Sequence, residues 1–198
     1  IKIIAFCLVS INVNAIENVI LFGDSLMAGY GLPKEKHLST VLQNNLLESG
    51  YNLVVIDGSV SGSTSANGLN RAEWSLSKPN IDLMILGLGA NDMLRGISPT
   101  ETKKNLEKII QISKQKNIAV ILAGMIAPTT YGLGYKKKFD DIYPSLAKKY
   151  DLDLIPFLLE GLVLKAELNQ DDGIHPNAMG TLIISDILER SIISFIRK

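Results

Sequence analysis

Ile20-Leu21-Phe22-Gly23-Asp24-Ser25-Leu26 is an apolar run that stops abruptly at glycine, aspartate and serine. A strand buried on both faces reads this way, and in a parallel α/β sheet the carboxyl ends of the strands line the ligand crevice. The run predicts a strand over residues 19–23 and sets the Ser25 hydroxyl one step beyond its end. Asp24-Ser25 also fits a plain helix N-cap, because both side chains accept hydrogen bonds from the free N–H groups of a first turn. Taken alone, the segment leaves the two readings open.

The same pattern recurs along the chain. Residues 53–57, 81–88 and 118–126 are near-continuous apolar runs, and residues 154–156 form a short fifth one. The first of these leads into Gly58-Ser59-Val60-Ser61-Gly62-Ser63-Thr64-Ser65, whose open backbone N–H groups suit an anion, either a phosphate or a transient oxyanion. A flexible connector is the other reading. Leu38, Val41, Leu42 and Leu46 recur at helical spacing and end at Gly50. Ser98-Pro99-Thr100-Glu101 has the form of a capping box with proline at the first helical position; the helix it opens carries Leu106, Ile109 and Ile110 and stops at Lys116-Asn117. Phe139, Ile142, Tyr143 and Leu146 mark another helix, and residues 181–196 a closing one. This alternation predicts a single domain over residues 16–198, a three-layer α/β/α sandwich around a parallel, flavodoxin-like five-stranded sheet.

Composition narrows the function. Twenty Lys and Arg balance twenty Asp and Glu in 198 residues, so the basic excess that nucleic-acid binding requires is missing. Cys7 is the only cysteine, which excludes an intrachain disulfide and a multi-cysteine metal site. Lys2, the apolar residues 3–11 and Asn12-Val13-Asn14-Ala15 read as a signal peptide over residues 1–15, cut after Ala15. A first strand over residues 3–9 is the alternative. The apolar run is too short to span a bilayer, and no later charge-free segment is long enough. The expectation is a periplasmic or secreted protein with no stable membrane insertion after cleavage.

A serine nucleophile needs a general base, usually histidine. His37 lies in a charged helix entry and reads as a surface residue. His175 lies in Asp171-Asp172-Gly173-Ile174-His175-Pro176, where an acid three residues earlier can fold back to hold Nδ1–H and leave Nε2 for a serine. An Asp-Gly turn with a capping histidine is the other reading. Gly89-Ala90-Asn91-Asp92 places polar groups at the end of a third strand.

Gly23-Asp24-Ser25-Leu26, Gly62 within Val60-Ser61-Gly62-Ser63-Thr64, Gly89-Ala90-Asn91-Asp92 and Asp172-Gly173-Ile174-His175-Pro176 together resemble the four blocks of the GDSL, or SGNH, hydrolase family. Ala28-Gly29-Tyr30, Leu94-Arg95-Gly96 and Ile142-Tyr143-Pro144 resemble its bacterial periplasmic acyl-CoA thioesterase, lysophospholipase and arylesterase branch. The resemblance implies Ser25 as nucleophile, His175 as base and Asp172 as its orienting acid. It assigns the oxyanion to the Ser25 N–H, the Gly62 N–H and the Asn91 amide, with no metal and no cofactor. Residues 129–135 fall where the branch carries a mobile segment over the acyl chain, so Tyr131 and Leu133 are expected to bind substrate. Asp24 and Asp92 read as structural, holding turns. Met27 replaces the small polar residue common in relatives and is expected at the pocket mouth. The implied protein is a monomer that takes a small-molecule acyl ester or thioester (lysophospholipid, acyl-CoA or aryl ester). Three alternatives stand beside this: a carbohydrate acetyl esterase using the same residues, a catalytically silent acyl-binding relative, and a non-catalytic flavodoxin-like binding domain with residues 59–65 as a phosphate cradle.

Overall fold

The computed structural model describes residues 16–78 and 80–198; the expected signal peptide, residues 1–15, lies outside them. The strands are β1 (Asn18–Gly23), β2 (Val54–Asp57), β3 (Leu83–Gly87), β4 (Ala119–Ala123) and β5 (Asp153–Ile155). They form one all-parallel sheet in the order β2-β1-β3-β4-β5. The helices are α1 (Ser25–Ala28), α2 (Leu38–Glu48), α3 (Ser65–Ser75), α4 (Ala90–Leu94), α5 (Pro99–Gln115), α6 (Leu133–Asp140), α7 (Ile142–Tyr150) and α8 (Ala178–Ile196). Helix α2 packs on α8, while α5 packs on both α3 and α7. With right-handed crossovers, these two groups cover opposite faces of the sheet.

Strand order decides where a ligand can sit. The connection through α2 carries the chain from β1 to β2, and the one through α3 brings it back across β1 to β3. That reversal opens a crevice between the carboxyl ends of β1 and β3. Both strands are buried along their apolar runs, from Val19 to Phe22 and from Leu83 to Leu86. Each such side chain contributes roughly 1.5–3 kcal/mol by leaving water, so the two strands that frame the crevice are firmly held.

Several elements depart from the sequence expectation for identifiable reasons. Strand β2 is an edge strand with Val54 exposed, not a strand covered on both faces. The runs at 81–88 and 118–126 shorten to β3 and β4 because Ile81, Leu88, Ile118 and Met125 are buried from flanking loops. Helix α3 begins inside the stretch read as a glycine-serine connector. Its core-facing residues include Gly68, Ala72 and Ser75, too small to produce apolar periodicity. Its start is a reciprocal box, in which Thr64 Oγ1 accepts the Asn67 N–H and Asn67 Oδ1 accepts the Thr64 N–H. The expected box before α5 is only half made: Ser98 Oγ accepts from the Thr100 N–H at 3.3 Å, while Glu101 lies 3.9 Å from Lys104. The periodicity from Phe139 to Leu146 runs across a break at Asp141, because Pro144 has no N–H to give the Asp140 carbonyl and a helix cannot pass through it uninterrupted.

Candidate active site

Ser25 is the first residue of α1, directly beyond β1. Asp24 precedes it in extended conformation and caps the helix by accepting the Leu26 N–H at 3.0 Å. The Ser25 Oγ lies 2.9 Å from His175 Nε2, and His175 Nδ1 lies 2.6 Å from Asp172 Oδ2. A carboxylate only accepts, so the imidazole proton sits on Nδ1 and Nε2 is left to accept the serine hydroxyl. The loop bearing His175 is closed locally: the Gln170 N–H donates to the His175 carbonyl at 2.8 Å, and Asn169 pairs with Pro176. Within it, Asp172 Oδ1 accepts the N–H groups of Ile174 and His175, both at 2.9 Å. These hydrogen bonds, led by the His175 N–H and joined by its ring, hold the Asp172 carboxyl down to about 2.

Gly62 lies in the loop between β2 and α3, and Asn91 lies just beyond β3. Gly62 takes a left-handed φ of 76°, and its carbonyl accepts Arg95 Nη2 at 3.0 Å. Among the described residues neither the Ser25 nor the Gly62 N–H donates to a protein acceptor. Asn91 lies in the first turn of α4, with Nδ2 donating to Asp24 Oδ2 at 3.2 Å. The preceding Gly89, at φ 118°, is required twice over, since a Cβ there would stand 2.3 Å from the Tyr143 hydroxyl oxygen. Asp92, fully buried, accepts the Ser65 N–H at 2.7 Å, the Ser65 hydroxyl at 2.5 Å and the Thr102 hydroxyl at 3.1 Å. It therefore ties the starts of α3, α4 and α5 together, more than holding one turn. It also occupies the Ser65 donors, and Ser63, Thr64 and Ser65 are buried, so residues 59–65 do not form an open phosphate cradle. Arg71 lies 3.8 Å over the Phe22 ring and donates to the carbonyls of Gly23 and Gly58, fixing the loops that follow β1 and β2.

Beside Ser25 opens a predominantly apolar cavity of about 450 Å³, walled in part by Leu26, Met93, Met125, Ile126, Leu162 and Ile174. Tyr131 and Leu133 do not line it. The expected flap is a single turn, Thr129–Tyr131, running into α6. Its Tyr131 ring turns back onto Tyr135, 5.4 Å away and itself bonded to the Ile97 carbonyl, while Leu133 is 76% exposed. Met27 is likewise not at a pocket mouth. It is fully buried, its sulfur filling the space beside the missing side chains of Gly23 and Gly87. His37 is half-buried, its Nε2 bonded to the Leu32 carbonyl at 3.0 Å.

Two neighbours of the line have contacts that the sequence did not indicate. The Tyr30 ring lies 4.5 Å from that of His175, and Gln170 Nε2 bonds the Tyr30 carbonyl at 2.7 Å. An aromatic after a glycine was the available signal. Asp24 is the second: it caps α1 as its reading as a turn-holding residue implies, and its contact with Asn91 is the part the sequence left hidden.

A hydroxyl aligned on an imidazole, itself aligned on a carboxylate, beside free N–H donors at the switch point of a parallel sheet, is the arrangement of a serine hydrolase. The model of the GDSL-like Lipase/Acylhydrolase family matches residues 21–182, and the chain belongs to that family and is an acyl-ester hydrolase. It is 38% identical over 191 residues to an arylesterase of Vibrio mimicus, covering 96% of this chain and 95% of that one. It is 36% identical over 178 residues to the thioesterase 1/protease 1/lysophospholipase L1 of Escherichia coli (strain K12), covering 90% of this chain and 84% of that one. The crystal structure of TesA superposes with a TM-score of 0.84 at 32% identity, over 89% of this chain and 98% of that one.

Proposed function

We propose that Ser25 is the nucleophile of an exported monomeric esterase and thioesterase acting on lysophospholipids, acyl-CoA and aryl esters. Ser25 Oγ attacks the acyl carbonyl as His175 Nε2 takes its proton, and Asp172 stabilises the imidazolium that forms. The developing oxyanion is met by the N–H groups of Ser25 and Gly62 and by the Asn91 amide. His175 then returns the proton to the leaving alcohol or thiol. Water repeats the sequence on the acyl-enzyme, releasing the fatty acid. The observation that carries this reading is the line from Ser25 Oγ through His175 to Asp172, at 2.9 and 2.6 Å. The activities for which the Vibrio and Escherichia relatives are named support the same range of leaving groups. The apolar cavity supports acyl chains over the acetyl group of a carbohydrate ester. Export, with residues 1–15 removed, is supported by the leader composition, and no helix of the described residues is long and apolar enough to cross a membrane.

Labelling with a serine-directed fluorophosphonate, followed by peptide mass spectrometry, tests the nucleophile. The label is expected on Ser25 and absent from a folded Ser25→Ala variant, which should also lack turnover. Asn91→Ala should retain labelling at a lower rate and lose about a hundred- to a thousandfold in kcat. Turnover of Ser25→Ala near the native rate would overturn the assignment.

A further inference from the structure

Asp24 is 1% exposed and stands outside the line of Ser25, His175 and Asp172, yet its carboxylate bridges two groups beside the nucleophile. One oxygen accepts the Leu26 N–H at 3.0 Å, and the other accepts an Asn91 Nδ2 hydrogen at 3.2 Å. A carboxamide has a donating end and an accepting end of nearly the same size, so its shape does not choose which way it points. The neighbouring carboxylate does choose. Reversed, Asn91 would set its carbonyl oxygen against a buried anion with no hydrogen between them. In the observed direction, Asp24 holds one Nδ2 hydrogen and leaves the other for a reacting oxygen.

From this we infer that Asp24 is a positioning residue whose carboxylate fixes which end of the Asn91 carboxamide meets the oxyanion. The inference rests on the role proposed for Asn91. The groups facing Asp24 fit it. Asn91 and the Leu26 N–H donate to it, and His175 favours its ionised form. Asp92, on α4, opposes that form. The buried Tyr143 hydroxyl is committed to the Leu88 carbonyl at 3.0 Å and does not compete for it. Burial pushes the Asp24 carboxyl up to about 6, so it is ionised at neutral pH and protonates as pH falls through about 6. Once protonated, it can donate to Asn91 Oδ1 and lets the amide turn.

A double-mutant cycle read by kcat, KM and pH tests this. Asp24→Asn keeps the side-chain shape and the Leu26 cap but offers an NH2 to Asn91, favouring the reversed amide. Its kcat is expected to fall roughly ten- to a hundredfold, within the range for loss of an oxyanion donor, with KM little changed. Its acid limb should be shallower than that of the native enzyme. In the Asn91→Ala background the same substitution should cost nothing further. Asp24→Ser, an uncharged variant that still caps the helix, should behave alike. An equal loss in both backgrounds, or no loss in the native one, overturns the role of Asp24 and leaves that of Asn91 standing. A native rate for Asn91→Ala overturns both.

Discussion

Two aspartates near Ser25 have pKa values driven in opposite directions. Asp172 stands at the rim, where the N–H groups of His175 and Ile174 hold its carboxyl down to about 2, so it is an anion wherever the enzyme works. Asp24 stands in the interior, where loss of water pushes its carboxyl up to about 6. The consequences for stability differ in sign. The Asp172 contribution is present above its unfolded value of about 3.9 and is lost as pH falls through about 2. For Asp24 the folded value lies above the unfolded one, so its contribution is complete below about pH 4 and is lost as pH rises through about 6. An uncharged isostere escapes that loss. Asp24→Asn is therefore expected to be more stable than the native protein by on the order of 1–3 kcal/mol at about pH 8, with the difference shrinking toward about pH 5. Thermal melts across that range check it, and a pH-independent difference would count against the buried anion. Less stability in exchange for an oriented amide is the trade-off expected at an active site.

At the scale of elements, the decisive feature is how α3, α4 and α5 begin. Gly62 precedes the first of these and Asn91 lies in the second. Their relative placement depends on Asp92, whose carboxylate receives three buried hydrogen bonds from Ser65 and Thr102, while Asn105 Nδ2 bonds the Ser65 hydroxyl at 3.0 Å. Asp92→Ala would leave the Ser65 N–H and hydroxyl buried without that acceptor, and the Thr102 hydroxyl with only the Ser98 carbonyl at 3.3 Å. At roughly 1–3 kcal/mol for each group left unsatisfied, partly relieved by rearrangement, the expected loss is about 2–4 kcal/mol in urea unfolding. The kcat of the folded fraction should fall as well, because Gly62 and Asn91 lose their common anchor. Asp92→Asn, which keeps one acceptor oxygen, should lie between the two. Unchanged unfolding midpoints in Asp92→Ala would refute the clamp.

For the whole molecule, the relation between the reversal of strand order and the cavity sets what can react. The crevice between β1 and β3 holds the line of Ser25 and His175, and the apolar cavity beside it is the proposed acyl-chain site. Ile126, which lines that cavity and is partly exposed, can be enlarged with little strain on the core. Ile126→Trp is expected to exclude at least two methylenes of a long chain. At roughly 0.8 kcal/mol each, that lowers kcat/KM for an octanoyl nitrophenyl ester about tenfold and leaves the acetyl ester near its native value. Equal losses on both esters would place the acyl chain elsewhere.

The amino-acid sequence by itself determined the strand-helix alternation and the five parallel strands and marked Ser25, Asp172 and His175 as candidates, because buried runs, helix caps and a turn that folds an acid onto a histidine are local in the chain. Its blocks at Gly62 and Asn91 carried the family resemblance for the same reason. Helix α3 was not legible, since glycine, alanine and serine facing the core leave no periodic mark. Nor was the exposure of β2, which depends on which strand lies at the edge. Only the tertiary structure decided that a hydroxyl and an imidazole 150 positions apart meet, that Tyr131 stacks on Tyr135 away from the cavity, and that Asp24 holds Asn91. These are contacts between segments distant in the chain, and packing in three dimensions selects them after local preferences have been satisfied.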